Sequence, residues 1–198
     1  MQLRLYINNI DRTANLMQDS IQLEQNIGNT IDTYEFTIWD QYRSLRDIIY
    51  EGLDVILESY TDPNVRFFGG IITEKNTSII GLGLLYNIVC QDWRTLLDKA
   101  TFRYSYSNST DLAIIQDAFT QASITEIVTN HSSYTKAGRT FARLDFAGTS
   151  LSAMLDTLTN MTGFIWYVDA YKNLHYHPFH HHHDTSIFEL TDVVADLS

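Results

Sequence analysis

In Tyr34-Glu35-Phe36-Thr37-Ile38-Trp39, the residues Tyr34, Phe36 and Ile38 fall on one side of an extended backbone and Glu35 and Thr37 on the other. That two-residue period is the pattern of a half-buried strand. The segments around it repeat the pattern. Over 2–8, Leu3, Leu5 and Ile7 share a face opposite Arg4 and Tyr6, and Ile21-Gln22-Leu23-Glu24 alternates again. Asp54–Tyr60, Val65–Glu74 and Leu84–Cys90 read as further strands. Turn-forming residues separate them at Gly28-Asn29, Glu51-Gly52, Thr61-Asp62-Pro63-Asn64 and Asn76-Thr77-Ser78. Short strands in close succession, with no long helix between them, predict a small antiparallel barrel over 1–90.

The period changes after Cys90. Asp92 is placed to cap a helix through Trp93, Leu96 and Leu97 to Lys99. Ser109 or Thr110 can cap a second helix, in which Leu112, Ile115 and Phe119 share a face. Thr149 or Ser150 can open a third, with Leu151, Met154, Leu155 and Leu158 on one stripe and Gly163 as its left-handed stop. Phe164–Val168 and Leu174–His177 then form a hairpin around a turn at 169–173. Residues 91–178 thus read as a mixed α/β module. Alternation resumes at Ile187–Ser198, where a further strand is expected to begin, and the expectation that follows is that the sequence is a piece of something longer.

Composition limits the function. The chain has 198 residues, 44% hydrophobic and 13% aromatic, enough for a substantial core. Thirteen Lys and Arg against 24 Asp and Glu give a formal charge of −11. A basic face for gripping nucleic acid phosphates has little to be built from. Cys90 is the only cysteine, which excludes an intrachain disulfide and a cysteine zinc cage. No apolar run reaches the ~20 residues a membrane-spanning helix needs, and 1–6 alternates where a signal peptide would be continuously apolar.

Few residues offer chemistry. Gly81-Leu82-Gly83 starts like a dinucleotide loop, but Tyr86 stands at the third glycine position and no helix follows. It reads as a hairpin connection. Nucleophile-elbow, phosphate-loop and His-Glu-x-x-His motifs are missing, and His131 is the only histidine outside 175–183. Cys90 lies in an apolar strand and reads as a buried, inert thiol. His175 and His177 share one strand face, a spacing at which two imidazoles can bind one metal ion. Four consecutive histidines, His180–His183, cannot all face one ion, and Asp184 is the nearest carboxylate. The run reads as a metal-free polar loop. The expectation for catalytic, cofactor and metal residues is therefore none.

Two stretches resemble the tail-hub, or baseplate-hub, proteins of tailed bacteriophages and related contractile injection systems. The first is Val65-Arg66-Phe67-Phe68-Gly69-Gly70-Ile71-Ile72, followed by Leu84–Cys90 and Gln91-Asp92-Trp93-Arg94-Thr95-Leu96-Leu97-Asp98. The second is Ser150-Leu151-Ser152-Ala153-Met154-Leu155-Asp156, continued by Thr162–Asp169 and Leu174-His175-Tyr176. Tyr34–Asp40 is similar to an early barrel strand of that family. The order and spacing of these pieces carry the resemblance over about two-thirds of the chain.

The resemblance implies an α+β, mostly β fold: a tail-tube-like antiparallel β-barrel over 1–98, a small α/β module over 99–178, and a loop with the start of a further β domain over 179–198. It implies a homotrimeric, non-enzymatic structural component of the virion, made in the bacterial host cytoplasm and placed at the tail tip or baseplate. Its partners would be the distal tail or tail-tube protein, spike or tail-tip proteins and the tape-measure protein, with DNA passing through without specific binding. Trp39, Phe67 and Trp166 would be buried in cores or subunit contacts. The alternatives are a carbohydrate- or receptor-binding β module of a tail tip and a tail hydrolase fragment, which lacks a catalytic motif here.

Overall fold

A computed structural model describes residues 3–24 and 31–179. The alternating segments form β1 (Leu3–Ile7), β2 (Ile10–Asp11), β3 (Leu16–Glu24), β4 (Thr33–Asp40), β5 (Asp54–Ser59), β6 (Arg66–Ile80) and β7 (Gly83–Asp92). They join in one antiparallel sheet, ordered β2-β1-β5-β6-β7-β4-β3, that curls into a half-barrel. The curl is open: β2 and β3 lie at its two ends. Its concave face holds the side chains picked out by alternation. Leu5, Tyr34, Ile38, Tyr86 and Cys90 are completely buried, and Tyr34 stacks on Phe36 with ring centroids 4.8 Å apart.

The second half opens with α1 (Arg94–Lys99), β8 (Thr101–Thr110) and α2 (Asp111–Gln121). It continues with β9 (Thr140–Ser150), α3 (Leu151–Thr162), β10 (Phe164–Val168) and β11 (Leu174–Pro178). β8 pairs with β9 and β10 with β11, both antiparallel. Thr110 and Ser150 are the N-caps of α2 and α3, accepting from Ala113 N and Ala153 N at 3.2 Å each. Trp93 occupies the N-cap position of α1, one residue after the expected Asp92. The Asp92 carboxylate still accepts from Arg94 N at 3.0 Å, so the aspartate satisfies the helix start without being its boundary. Gly163 ends α3 at φ 75°, a left-handed conformation that side-chain-bearing residues adopt only at a cost. The stripe of α3 is wholly buried, and together with Leu97, Phe119, Phe146, Trp166 and Tyr176 it makes a second core.

The structure departs from the sequence reading at two places. Asn76-Thr77-Ser78 is not a turn: it lies inside β6, paired with Tyr86 and its neighbours on β7. Turn-prone residues stay extended there because the reversal comes five residues later, at Gly81-Leu82, where Ile80 pairs with Gly83 in a two-residue hairpin. The paired arm β8–β9 carries no expectation from the sequence. Phe102 and Tyr106 alternate on it, but Ser, Thr, Asn and Arg dominate its exposed face and dilute the signal. Trp166 is buried, whereas Trp39 and Phe67 are half-buried. No described helix is long and apolar enough to cross a membrane.

Candidate functional site

The two cores meet at the turn between β10 and β11. Asp169 organises this turn, accepting from the backbone N–H of Tyr171 at 2.9 Å and of Asn173 at 2.8 Å, and from the Asn173 side chain. The turn then grips the half-barrel. Ala170 O accepts from Trp93 Nε1 at 3.4 Å. Tyr171 donates its hydroxyl hydrogen to Asn64 O and accepts from Arg66 N at 3.1 Å. The Arg66 guanidinium lies over the Tyr171 ring, and Lys172 Nζ forms a 2.9 Å ion pair with Asp54. Gly69 of β6 lets the strand approach the turn so closely. A Cβ there would stand 2.5 Å from Ala170 O and 2.6 Å from Trp93 Nε1.

Beside this joint is a cleft of about 640 Å³, lined by Asp32, Arg66, Phe67 and Asp92 from the first half and Tyr134, Tyr167, Asp169 and His175 from the second. Its wall is a column of rings. His131 stacks on Tyr134 at 4.2 Å, Tyr134 on His175 at 4.3 Å, and His175 on Tyr167 at 4.3 Å. His175 Nε2 lies 3.0 Å from Asp169 Oδ2. Burial works to raise the Asp169 carboxyl, but the hydrogen bonds of His175 and Asn173 outweigh it and hold the group below its ordinary range. His177 is buried edge-on to His175, with ring centroids 6.1 Å apart. The rings that the spacing could have offered to one ion are thus packed against tyrosines. Among the described residues, no three His, Cys, Asp or Glu side chains converge as a metal set.

Asp92 has the opposite environment. Burial pushes its carboxyl up to about 6, although Asp32 N and Arg94 N both donate to it. Between about pH 4 and 6 the folded state keeps this proton and the unfolded state has lost it, so stability falls as pH rises across that window and is level above it. Asp92→Asn is expected to remove that slope. In urea melts at pH 4 to 7, the wild type should lose about 2–3 kcal/mol relative to the variant. Parallel curves for the two proteins would show that Asp92 does not titrate with folding.

Both carboxylates line the cleft, and their oxygens accept hydrogen bonds from neighbouring backbone and side-chain groups. Cys90 is completely buried and burial pushes its thiol up, an inert state. Gly81-Leu82 is a hairpin loop with no following helix. His180–His183, Asp184 and Ile187–Ser198 lie outside the described residues, as does Gly28-Asn29. Tyr134 and Asp169, central to the joint, carry no sequence signal beyond the turn at 169–173.

Comparison with solved structures shows where this fold recurs. The 43 kDa tail protein of prophage MuSo2 from Shewanella oneidensis matches 89% of this chain with a TM-score of 0.67 at 15% identity. A tail protein from Neisseria meningitidis matches 88% with a TM-score of 0.66 at 11% identity. An E. coli component of the type VI secretion system, itself structurally similar to the T4 bacteriophage tail proteins gp27 and gp5, matches 87% at a TM-score of 0.55 and 14% identity. The class defined is the phage tail protein fold, mostly β with few helices. The chain spans 54%, 50% and 47% of those three proteins, about half of each. No protein-family model and no curated protein sequence matches the chain.

Proposed function

We propose that the chain is a structural tail component, and specifically the N-terminal part of a homotrimeric hub that joins the tail tube or distal tail ring to the tip or spike. The observation that carries this reading is the match of nearly nine-tenths of the chain to the tail protein of a Shewanella prophage. In this reading the domain over 1–98, whose sheet is the half-barrel, forms the ring, and 99–178 is the module outside it; the further β domain expected from 179–198 onward falls almost wholly outside the described residues. The role is non-enzymatic, in keeping with the structural character of the tail proteins it resembles in fold. The virion tail tip is its place, after synthesis in the host cytoplasm.

The bore of such a ring lets DNA pass without holding it. Each lumen-facing Lys or Arg would add phosphate affinity through counterion release, whereas acid repels the duplex over a Debye length of ~8 Å. A charge of −11 per chain supplies the acid. The test is electron microscopy of the purified chain mixed with the tail-tube protein of the same phage. The expected result is a threefold ring capping the tube, with Asp and Glu denser on the lumen than outside. Failure to bind the tube rejects the hub role, and a basic or evenly charged lumen rejects the channel role while acidity then serves solubility alone.

We further propose that His180–His183 carries no resident metal. Elemental analysis of tag-free, imidazole-washed protein should find none; about one equivalent that disappears on changing His175 and His177 to Ala overturns this.

A further inference from the structure

Asp92 ends β7 where the chain passes into the second half, and it lines the cleft beside the joint. Its Oδ2 accepts from Asp32 N and its Oδ1 from Arg94 N, both at 3.0 Å. A carboxylate oxygen has room for a second donor. Among the described residues Asp92 forms no ion pair, although three cations stand close to the joint. Each of the three is engaged elsewhere. The Arg94 guanidinium lies over the Trp166 ring at 4.7 Å, with Asp156 3.9 Å away. The Arg66 guanidinium lies over Tyr171 at 4.9 Å and donates to Ala170 O at 3.5 Å. Lys172 Nζ pairs with Asp54 at 2.9 Å and stands 4.1 Å from the centroid of the Trp93 ring.

The other groups around the cleft leave the Asp92 charge uncompensated. Asp32, ahead of β4, adds repulsion, and the attraction of Arg94 is the smallest influence on the carboxyl. Asp169 is matched by His175 and Asn173, and the remaining polar rings are those of Tyr134 and Tyr167. A buried negative charge without a countercharge is costly, which is why burial pushes the Asp92 carboxyl up to about 6. A cation entering the cleft would remove that cost. The volume of about 640 Å³ is within the range of ligand sites and admits a side chain with its flanking residues. The walls favour a planar cation. Its forked N–H groups suit a carboxylate and its faces suit rings, as Arg94 on Trp166 and Arg66 on Tyr171 already show within this chain.

We propose that the cleft is a binding site for a guanidinium group, that of an arginine side chain on a partner peptide, with Asp92 as its carboxylate ligand. The proposal is independent of the tail reading and adds a site to it. The fork donates to the Asp92 oxygens, Asp32 adds negative charge beside them, and Phe67 offers apolar surface to the arginine stem.

The test is a titration followed by the amide resonances of the protein, with the peptide Gly-Arg-Gly capped at both ends. Saturable shifts are expected at Asp92 and across 168–173. The same peptide with citrulline, which keeps the shape and lacks the charge, should bind about tenfold more weakly, and so should the lysine peptide. Asp92→Asn should bind about tenfold more weakly with its amide spectrum unchanged away from the cleft, while Asp145→Asn on the exposed face of β9 binds as the wild type does. Wild-type affinity should also fall about tenfold from pH 7 to pH 5, because Asp92 gains its proton and the cation binds the ionised form. That dependence should be lost in Asp92→Asn. Equal binding of the arginine and citrulline peptides, or undiminished binding in Asp92→Asn, overturns the site. Equal binding of arginine and lysine overturns the guanidinium assignment. A pH dependence that survives in Asp92→Asn assigns the titration to His175 and overturns the role of Asp92.

Discussion

Gly69→Ala is expected to destabilise the protein by about 2–3 kcal/mol, the cost of forcing a methyl group into a packed site. The added Cβ would meet two groups at once, the carbonyl of Ala170 and the indole nitrogen of Trp93. Ala170 is held by the turn that Asp169 organises, and Trp93 is buried to 1% exposure, so neither can withdraw alone. Relief comes only if the 169–173 turn leaves β6, which also stretches the Lys172–Asp54 pair and the Tyr171 contacts. Urea denaturation gives the size of the loss. Faster amide exchange at 169–173, with the β4–β7 ladder still protected, would locate it at the joint. Stability within 0.5 kcal/mol of wild type would mean that the two halves are not held at this point.

Asp111→Asn is the second substitution with a large expected effect, about 3 kcal/mol. Asp111 is completely buried at the start of α2, and its carboxylate accepts from Leu112 N, Gly138 N, Arg139 N and the Tyr176 hydroxyl. Every partner is a donor. An amide turns one acceptor into a second donor facing N–H groups that have no water to turn to. Tyr176→Phe removes a single member of the set and should cost about 1 kcal/mol, less than half as much. Equal losses for the two variants would show that the hydroxyl alone matters and that the 138–139 backbone finds other acceptors.

Where residues act on their chain neighbours, the sequence was enough. The alternation of Tyr34, Phe36 and Ile38 puts three side chains into one core because side-chain direction in a strand is set two residues at a time. Thr110, Ser150 and Gly163 mark helix ends because a cap is made within three residues of itself. The change of period after Cys90 and the hairpin closing at Gly81-Leu82 are local in the same sense.

The tertiary structure decided what depends on distance along the chain. Asn76-Thr77-Ser78 looks like a turn in isolation, yet β7 holds it extended, since a ladder of paired backbone groups outweighs local turn preference. His175 looks like half of a metal pair, yet Tyr134, 41 positions earlier, and Tyr167 enclose its ring while Asp169 takes its nitrogen. The joint between the halves joins Gly69 to Ala170 and Asp54 to Lys172, pairs separated by about a hundred residues. Strand period and helix capping are written in nearest neighbours. Ring stacking, a buried carboxylate's donors and the fit of a turn against a glycine come into being only when the chain has closed on itself, because each needs surfaces that no local stretch of sequence contains.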